Sequence, residues 1–146
     1  MEKRVNISET EPQAFKAMLA LEGYLGNSQL SKTEKELIKI RASQINGCAF
    51  CIDMHTKDAL KYGETNQRIF LLNAWRETDL FTEKEKVILS MTEEITLIHN
   101  QGLSDTSYQK AILFFDKNQI AQIIMAIVTI NAWNRIAVST QLEPGK

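Results

Sequence analysis

Residues 31–63 read "SKTEKELIKIRASQINGCAFCIDMHTKDALKYG" and contain two helix starts and two helix stops. Ser31 and Glu34 have the spacing of a capping box, which predicts a helix through about Ile45. The turn dipeptide Asn46-Gly47 ends that helix. Helices joined by so short a turn usually pack against each other, so the segment predicts a helical hairpin.

The second helix of this hairpin carries both cysteines of the chain. It is predicted to begin near Cys48 and to run to Tyr62, with Gly63 as its cap. Cys48 and Cys51 stand three positions apart, and His55 follows four positions later, so the three side chains share one helix face. Two thiols and an imidazole on one face can exchange a proton, and the two sulfurs can close a disulfide within the chain.

The rest of the chain also has helical periodicity, because apolar residues recur three and four positions apart and strand signals are scarce. Further helices are predicted from Pro12 to Gly26-Asn27, from Thr65 through Arg76, from Thr82 with Glu85 through about Asn100, from Ser104 or Asp105, and from Asp116 with Gln119 onwards. The sequence therefore predicts an all-α fold, a compact domain of about six to seven helices.

The last predicted helix is apolar on more than one side. Its apolar residues are Ile120, Ile123, Ile124, Ile127, Val128 and Ile130. Such a surplus predicts either a central core helix or a helix that also packs against a second subunit.

The totals describe an ordinary chain of 146 residues, long enough for one core, so we expect a single domain over residues 1–146. Its 17 basic and 18 acidic side chains form no long run of one sign, which argues against nucleic acid or an anionic membrane as partner. Residues 1–18 lack the apolar stretch of a secretory signal, and no uninterrupted apolar run is long enough to span a bilayer. We therefore expect a cytoplasmic protein.

The clustered cysteines predict thiol chemistry, because C-x-x-C in a reducing compartment is typical of a catalytic or metal site. The positive end of the helix and a nearby imidazole both favour the reactive thiolate, which reduces a peroxide and becomes a sulfenic acid that a second thiol resolves. Spacing leaves open which cysteine attacks, since Cys48 lies nearer the helix start and Cys51 nearer His55. Glu36, on the preceding helix, is a candidate to orient the His55 ring.

These residues resemble the signature of AhpD-like alkylhydroperoxidases of the carboxymuconolactone decarboxylase superfamily. That signature is a glutamate, the first cysteine of C-x-x-C twelve positions later, and a histidine four after the second cysteine, here Glu36, Cys48, Cys51 and His55. The later stretches "LLNAWRE" and "INAWNR" also resemble the small single-domain branch of that family.

The resemblance implies a peroxidase that reduces organic hydroperoxides without a bound cofactor. Cys51 would attack the peroxide, Cys48 would resolve the product, and Glu36 with His55 would form a proton relay. An external dithiol, thioredoxin-like or lipoyl-carrying, would reduce the disulfide, and the protein would form a homo-oligomer, a trimer or hexamer. Phe50 departs from the best-known members, which have a second histidine there, and this departure is consistent with a weaker relay or lower peroxidase activity.

Three other interpretations compete with the peroxidase. A zinc site would need a fourth ligand, His99 or Glu36, whereas structural zinc sites usually draw on two separated ligand pairs, so no metal is expected. A redox sensor or assembly protein would use the disulfide to change a partner interface without turnover. A lactone decarboxylase, the namesake activity of the superfamily, is disfavoured because those proteins lack the cysteine pair.

Overall fold

The computed structural model describes residues 2–145, which form eight α-helices, one 3₁₀ helix and no strand. The α-helices are α1 (Ile7–Thr10), α2 (Pro12–Gly26), α3 (Lys32–Asn46), α4 (Ala49–Lys61), α5 (Asn66–Phe70), α6 (Glu83–Thr96), α7 (Asp105–Phe114) and α8 (Lys117–Thr140), and the 3₁₀ helix is Leu72–Glu77. The predicted all-α fold is confirmed.

Side-chain caps fix where the principal helices begin. Capping boxes open three of them, Ser31 with Glu34 at α3, Thr82 with Glu85 at α6, and Asp116 with Gln119 at α8. Gly47 closes α3 in the left-handed conformation, with φ 65°, and Cys48 follows directly as the N-cap of α4. The helical hairpin predicted from residues 31–63 is therefore present, with its first cysteine at the turn.

Two predicted helices are wrong in extent. The helix predicted through Arg76 ends at Phe70 and continues as the 3₁₀ helix, in which Leu72 and Trp75 are both buried. The backbone is kinked between them at Ala74, with φ −116° and ψ 26°, and both side chains enter the core. The helix predicted through Asn100 ends at Thr96 instead.

Helix α6 ends where Leu97 leaves the helical conformation, with φ −91° and ψ 48°, and the chain then turns sharply before α7. Gln101 and Gly102 are consecutive residues with positive φ, 72° and 66°. A helix cannot continue through such a pair, because the left-handed conformation reverses its direction. The short α1 was not predicted, and it begins at Asn6, whose side chain accepts the backbone N–H of Ser8.

Helix α3 is the centre of the molecule and packs against α4 on one side and against α6 and α8 on others. Its inward residues Leu37, Ile38 and Ile40 are fully buried, as the sequence predicted. Behind α4, a small cluster of Cys48, Cys51 and Ala137 joins the hairpin to α8.

Helix α8 is a core helix, one of the two alternatives that its apolar pattern predicted. Ile120, Ile123, Ile127 and Ile130 are buried, whereas Val128 is 44% exposed. By length and hydropathy α8 could cross a membrane, yet half of its most apolar stretch is buried inside the domain. Core helices of globular domains have the same properties, so α8 is explained by its packing within the chain.

Candidate active site

The start of α4 brings the two cysteines together. Cys48 and Cys51 have their sulfur atoms at disulfide distance and their Cα atoms 5.3 Å apart, within the range that disulfides require. As the N-cap of α4, Cys48 also accepts the backbone N–H of Cys51 at its Sγ, at 3.3 Å. The helix start thus directs a backbone donor at one sulfur and holds the other one turn into the helix.

The two sulfurs differ in what they face. Cys48 and Cys51 are only 1% and 2% exposed, and both pack with Ala137 and Phe50, but of the two it is Cys51 that also lines a cavity. A small molecule that enters the cavity therefore meets Cys51 first. The spacing of the sequence could not make this distinction, because residues of α1, α2 and α8, distant in the chain, complete the wall that α4 begins.

The cavity has a volume of about 540 Å³, within the usual range for small-molecule sites. Apolar side chains form most of its wall, namely Ile7, Phe15, Phe50, Met54, Trp133, Ile136 and Leu142. Charged or titratable side chains also line it, namely Glu22, Lys39, His55 and Asp58. The cavity can hold an apolar molecule against a polar side that contains the histidine.

Glu36 meets His55 across the hairpin. The Nδ1 atom of His55 lies 3.1 Å from Oε2 of Glu36, and both residues are 6% exposed. When Nδ1–H donates to the carboxylate, the lone pair of Nε2 remains available to accept a proton. The structure thus brings together the four residues that the sequence singled out, through two helices and one short turn.

A lysine and a second glutamate extend this pair. Lys39 Nζ lies 3.9 Å from Oε1 of Glu36 and 3.3 Å from Oε2 of Glu22, and the indole Nε1 of Trp133 donates to Oε1 of Glu22 at 3.0 Å. Three helices, α2, α3 and α8, therefore contribute to one chain of polar contacts that ends at His55. Lys39 stands three positions after Glu36, a spacing that could have revealed it, but Glu22 and Trp133 have no such local signal.

Donor atoms of Glu36, His55 and Asp58 lie within 4.8 Å of one another, the geometry in which a cation can be held. The ammonium of Lys39 already supplies positive charge beside Glu36. The cluster does not include the cysteines, and His99 lies on the surface beyond the end of α6.

Buried amides fix the turn that precedes the cysteines. The side chain of Asn134 donates to Ser43 Oγ at 2.9 Å and accepts from Asn46 Nδ2 at 2.9 Å, and the backbone N–H of Cys48 donates to the carbonyl of Ser43 at 3.0 Å. Every group in this network is satisfied inside the chain. Helix α8 therefore holds the end of α3, and with it the position of Cys48.

Known proteins are similar to this chain over almost its whole length. The chain is 45% identical over 139 residues to the uncharacterized protein YdfG of Bacillus subtilis (strain 168), with 95% of each sequence covered. The solved structure of ATU0492 from Agrobacterium tumefaciens, a protein of unknown function suggested to be the antioxidant defence protein AhpD, matches with a TM-score of 0.95 and 40% identity over 99% of both chains. The fold and the arrangement of the site together define an AhpD-like helical domain.

The sequence profile of the carboxymuconolactone decarboxylase family matches residues 12–94, the range that contains Glu36, both cysteines and His55. The chain therefore belongs to this family. The chain is also similar to the alkyl hydroperoxide reductase AhpD of Hyphomonas neptunium (strain ATCC 15444), with 33% identity over 63 residues. This match covers 43% of this chain and 34% of that protein.

Proposed function

We propose that the protein is a thiol-dependent peroxidase of the alkylhydroperoxidase type, which reduces organic hydroperoxides through a Cys48–Cys51 dithiol/disulfide cycle. The observation that carries the proposal is the position of Cys51 on the wall of an apolar cavity that His55 also lines. The similarity to an alkyl hydroperoxide reductase over part of the chain supports the same reaction class.

The cycle has three balanced steps. The Cys51 thiolate attacks the O–O bond of the hydroperoxide, an S–O bond forms, and the departing alkoxide takes a proton and leaves as an alcohol. The Cys48 thiol then attacks the sulfenic acid of Cys51, so that the disulfide forms and water leaves. An external dithiol returns two electrons and two protons, and is itself oxidised to a disulfide.

His55 carries the proton in the first step. Its Nε2 accepts the proton of the Cys51 thiol and returns it to the alkoxide, while Glu36 holds Nδ1 in a hydrogen bond of 3.1 Å. A positioned acid–base group of this kind typically contributes on the order of 10²-fold or more to a rate. The cycle uses side chains alone and calls for no bound cofactor.

The cavity wall favours a hydroperoxide with an apolar body over hydrogen peroxide. Phe50 stands where a polar imidazole would otherwise contribute to the wall, and it packs on the cysteine pair. An apolar body would bury its surface against Phe15, Met54 and Ile136, and this burial is favourable at about 25 cal/mol for each Å².

Burial of the disulfide bears on the choice of reductant. Because Cys48 and Cys51 are almost wholly covered, a slender dithiol such as a lipoyl arm can reach Cys51 through the cavity more readily than a thiol on a protein surface. We therefore favour a lipoyl-carrying reductant over a thioredoxin-like one. We also propose that the protein works in the cytoplasm, where dithiol reductants are available, and as a homo-oligomer.

The test is peroxide consumption by a small amount of protein with excess dihydrolipoamide. Many turnovers with cumene hydroperoxide are expected, none with Cys51→Ser, and at most one equivalent with Cys48→Ser without added dithiol. Consumption of a single equivalent by the wild type, even with excess dithiol, would overturn the peroxidase and support a redox sensor instead.

A further inference from the structure

We propose that Lys39 is a positioning residue, whose ammonium group holds the Glu36 carboxylate in the orientation and charge in which it accepts the Nδ1–H of His55. The inference rests on the proposed function to the extent that both require His55 to take the proton of Cys51. Lys39 itself touches neither cysteine in the hydrogen bonds and ion pairs of the described chain.

The contacts of the two carboxylate oxygens carry this proposal. Oε2 of Glu36 lies 3.1 Å from His55, and Oε1 lies 3.9 Å from the ammonium of Lys39, so the two partners occupy different oxygens. Lys39 is fixed in turn by Glu22 at 3.3 Å, and Glu22 by the indole of Trp133 at 3.0 Å. The ammonium of Lys39 thus lies between two carboxylates, one on α2 and one on its own helix, and cannot swing into solvent without leaving both.

The burial of Lys39 requires a reason. Its side chain is 12% exposed and that of Glu36 is 8% exposed, although lysines are rarely buried without a partner. Burial disfavours a charged carboxylate, and an adjacent cation offsets that cost. The ammonium of Lys39 is therefore placed where it offsets the cost of burying the Glu36 carboxylate.

The charge on Glu36 decides which ring nitrogen of His55 can act. An ionised carboxylate accepts the Nδ1–H and leaves the Nε2 lone pair free for the proton of Cys51. A protonated carboxyl group would donate to Nδ1, and the neutral ring would then carry its hydrogen on Nε2, where it cannot accept another. Lys39 thus selects the tautomer that the proton transfer needs.

The other charged groups around the imidazole do not replace Lys39. Glu22 on α2 and Asp58 on α4 are both acidic, and the residues of α1 and α8 that line the cavity carry no charge. Lys61 lies 3.5 Å from Asp58, but its side chain is 73% exposed and its charge is screened by water. Lys39 is therefore the buried cation of this site.

The experiment measures the rate of Cys51 alkylation by iodoacetamide as a function of pH, in reduced protein that also carries Cys48→Ser. The reagent reports the thiolate and needs neither peroxide nor reductant. We expect Lys39→Met to move the midpoint of the pH profile upward by about one unit, so that alkylation near pH 7 slows about tenfold. Lys39→Arg retains the charge and should stay close to the parent protein.

Lys35→Met is the matched control, because Lys35 lies on α3 one turn before Lys39 and donates to the carbonyl of Leu25 at 3.2 Å. Its profile should overlap with that of the parent. Lys39→Gln keeps a hydrogen-bonding side chain without the charge, and it replaces Lys39→Met if the latter does not fold.

Overlapping profiles for the neutral Lys39 variants and the parent would overturn the positioning role and leave the peroxidase proposal standing. Equal shifts in Lys39→Met and Lys39→Arg would also overturn it, because the charge would then not matter. If the alkylation profiles of the Lys39 variants shift as expected but the wild type turns over no peroxide, the proposed function alone is refuted.

Discussion

The surroundings of Cys51 and Cys48 depend on parts of the chain that are distant in sequence. Both sulfurs are equally buried, and both lie at the start of α4. Cys51 is distinguished because it faces a cavity that Trp133 and Ile136 of α8 help to enclose. Its assignment as the attacking sulfur therefore depends on tertiary packing.

Glu36→Gln should slow peroxide reduction by about 10²-fold while the fold survives. The amide keeps the shape of the side chain, but it lacks the charge that accepts Nδ1–H and stabilises a protonated ring at 3.1 Å. The measurement is the rate of Cys51 oxidation against pH. Asp53→Asn, on the exposed side of α4, serves as control. Superimposable profiles for Glu36→Gln and the wild type would remove Glu36 from the site.

Phe50→His should increase the peroxide reduction rate by up to about tenfold, because it adds a second acid–base group to the cavity wall between the cysteines. Phe50→Leu is the matched control, since it shortens the side chain by a similar amount and leaves the wall apolar. The initial rates of both variants with cumene hydroperoxide decide the point. A Phe50→His variant no faster than Phe50→Leu would show that the missing imidazole does not limit this protein.

That the four candidate site residues lie close together could be predicted from the sequence, because one hairpin carries them all. Glu36 and His55 stand on helices joined by a single glycine turn, so helical spacing and a family signature were sufficient. Glu22 and Trp133 could not be predicted in the same way, since they are separated from Lys39 by a loop or by most of the chain. Only packing brings them beside it.

At the scale of the secondary-structure elements, the turn between α3 and α4 determines the position of Cys48. Gly47 has a φ of 65°, and a Cβ atom added there would meet no atom within 4 Å. The glycine is therefore required by backbone conformation and not by space, because side chains disfavour the left-handed region by about 1–2 kcal/mol.

Gly47→Ala should destabilise the protein by about 1 kcal/mol, whereas Gly23→Ala should stabilise it by up to about 1 kcal/mol. Gly23 lies within α2, and its added Cβ would also meet nothing within 4 Å, so the pair isolates the effect of the backbone angle. Urea unfolding of both variants measures the difference. Equal changes in the free energy of unfolding would contradict the role assigned to the turn.

Helix starts were predicted better than helix ends, for a physical reason. Ser31 and Thr82 begin their helices through hydrogen bonds to residues three positions away, which the sequence displays directly. Helix α5 ends before Leu72 and Trp75, which are both buried. The indole Nε1–H of Trp75 donates to Oε1 of Glu93 on α6 at 2.9 Å. Such a partner, on another element, is not visible in the local pattern.

At the scale of the whole molecule, Glu93 links three elements. Burial alone would raise the pKa of Glu93, but hydrogen bonds from Arg76, Trp75 and Arg41 outweigh it and hold the pKa below the ordinary 4.5. A carboxyl group whose pKa is lower in the folded state stabilises the fold when the pH is above its pKa in the unfolded chain. This stabilisation is lost as the pH falls toward its pKa in the folded protein. Acid should therefore weaken the contacts among α3, α6 and the 3₁₀ helix.

The melting temperature should consequently fall as the pH drops below about 4.5. Glu93→Gln should cost about 2 kcal/mol at neutral pH, because several charge-assisted hydrogen bonds weaken, and it should lose less stability in acid than the wild type. Glu83→Gln, at a side chain 75% exposed, should change stability by less than about 0.5 kcal/mol. Parallel pH curves for the wild type and Glu93→Gln would contradict the assigned role of Glu93.

Exposed apolar side chains on the surface of the molecule indicate that several copies of the chain associate. On α7, Ile112, Leu113 and Phe114 are 49%, 78% and 43% exposed, and Phe70 at the end of α5 is 74% exposed. A stable interface buries about 800 Å² on each partner, a minor part of the 8799 Å² that one chain exposes. Apolar side chains this exposed are costly in water, and a second subunit would cover them.

We expect light scattering at micromolar concentration to give three or six times the chain mass of 16.6 kDa. Leu113→Lys should lower that mass, because a charge would have to be buried among apolar side chains of the neighbouring subunit. Gln109→Lys adds the same charge at an exposed polar position of α7 and should leave the assembly intact. A monomeric wild type would contradict the assembly itself, and an unchanged mass for Leu113→Lys would exclude the α7 surface from the interface.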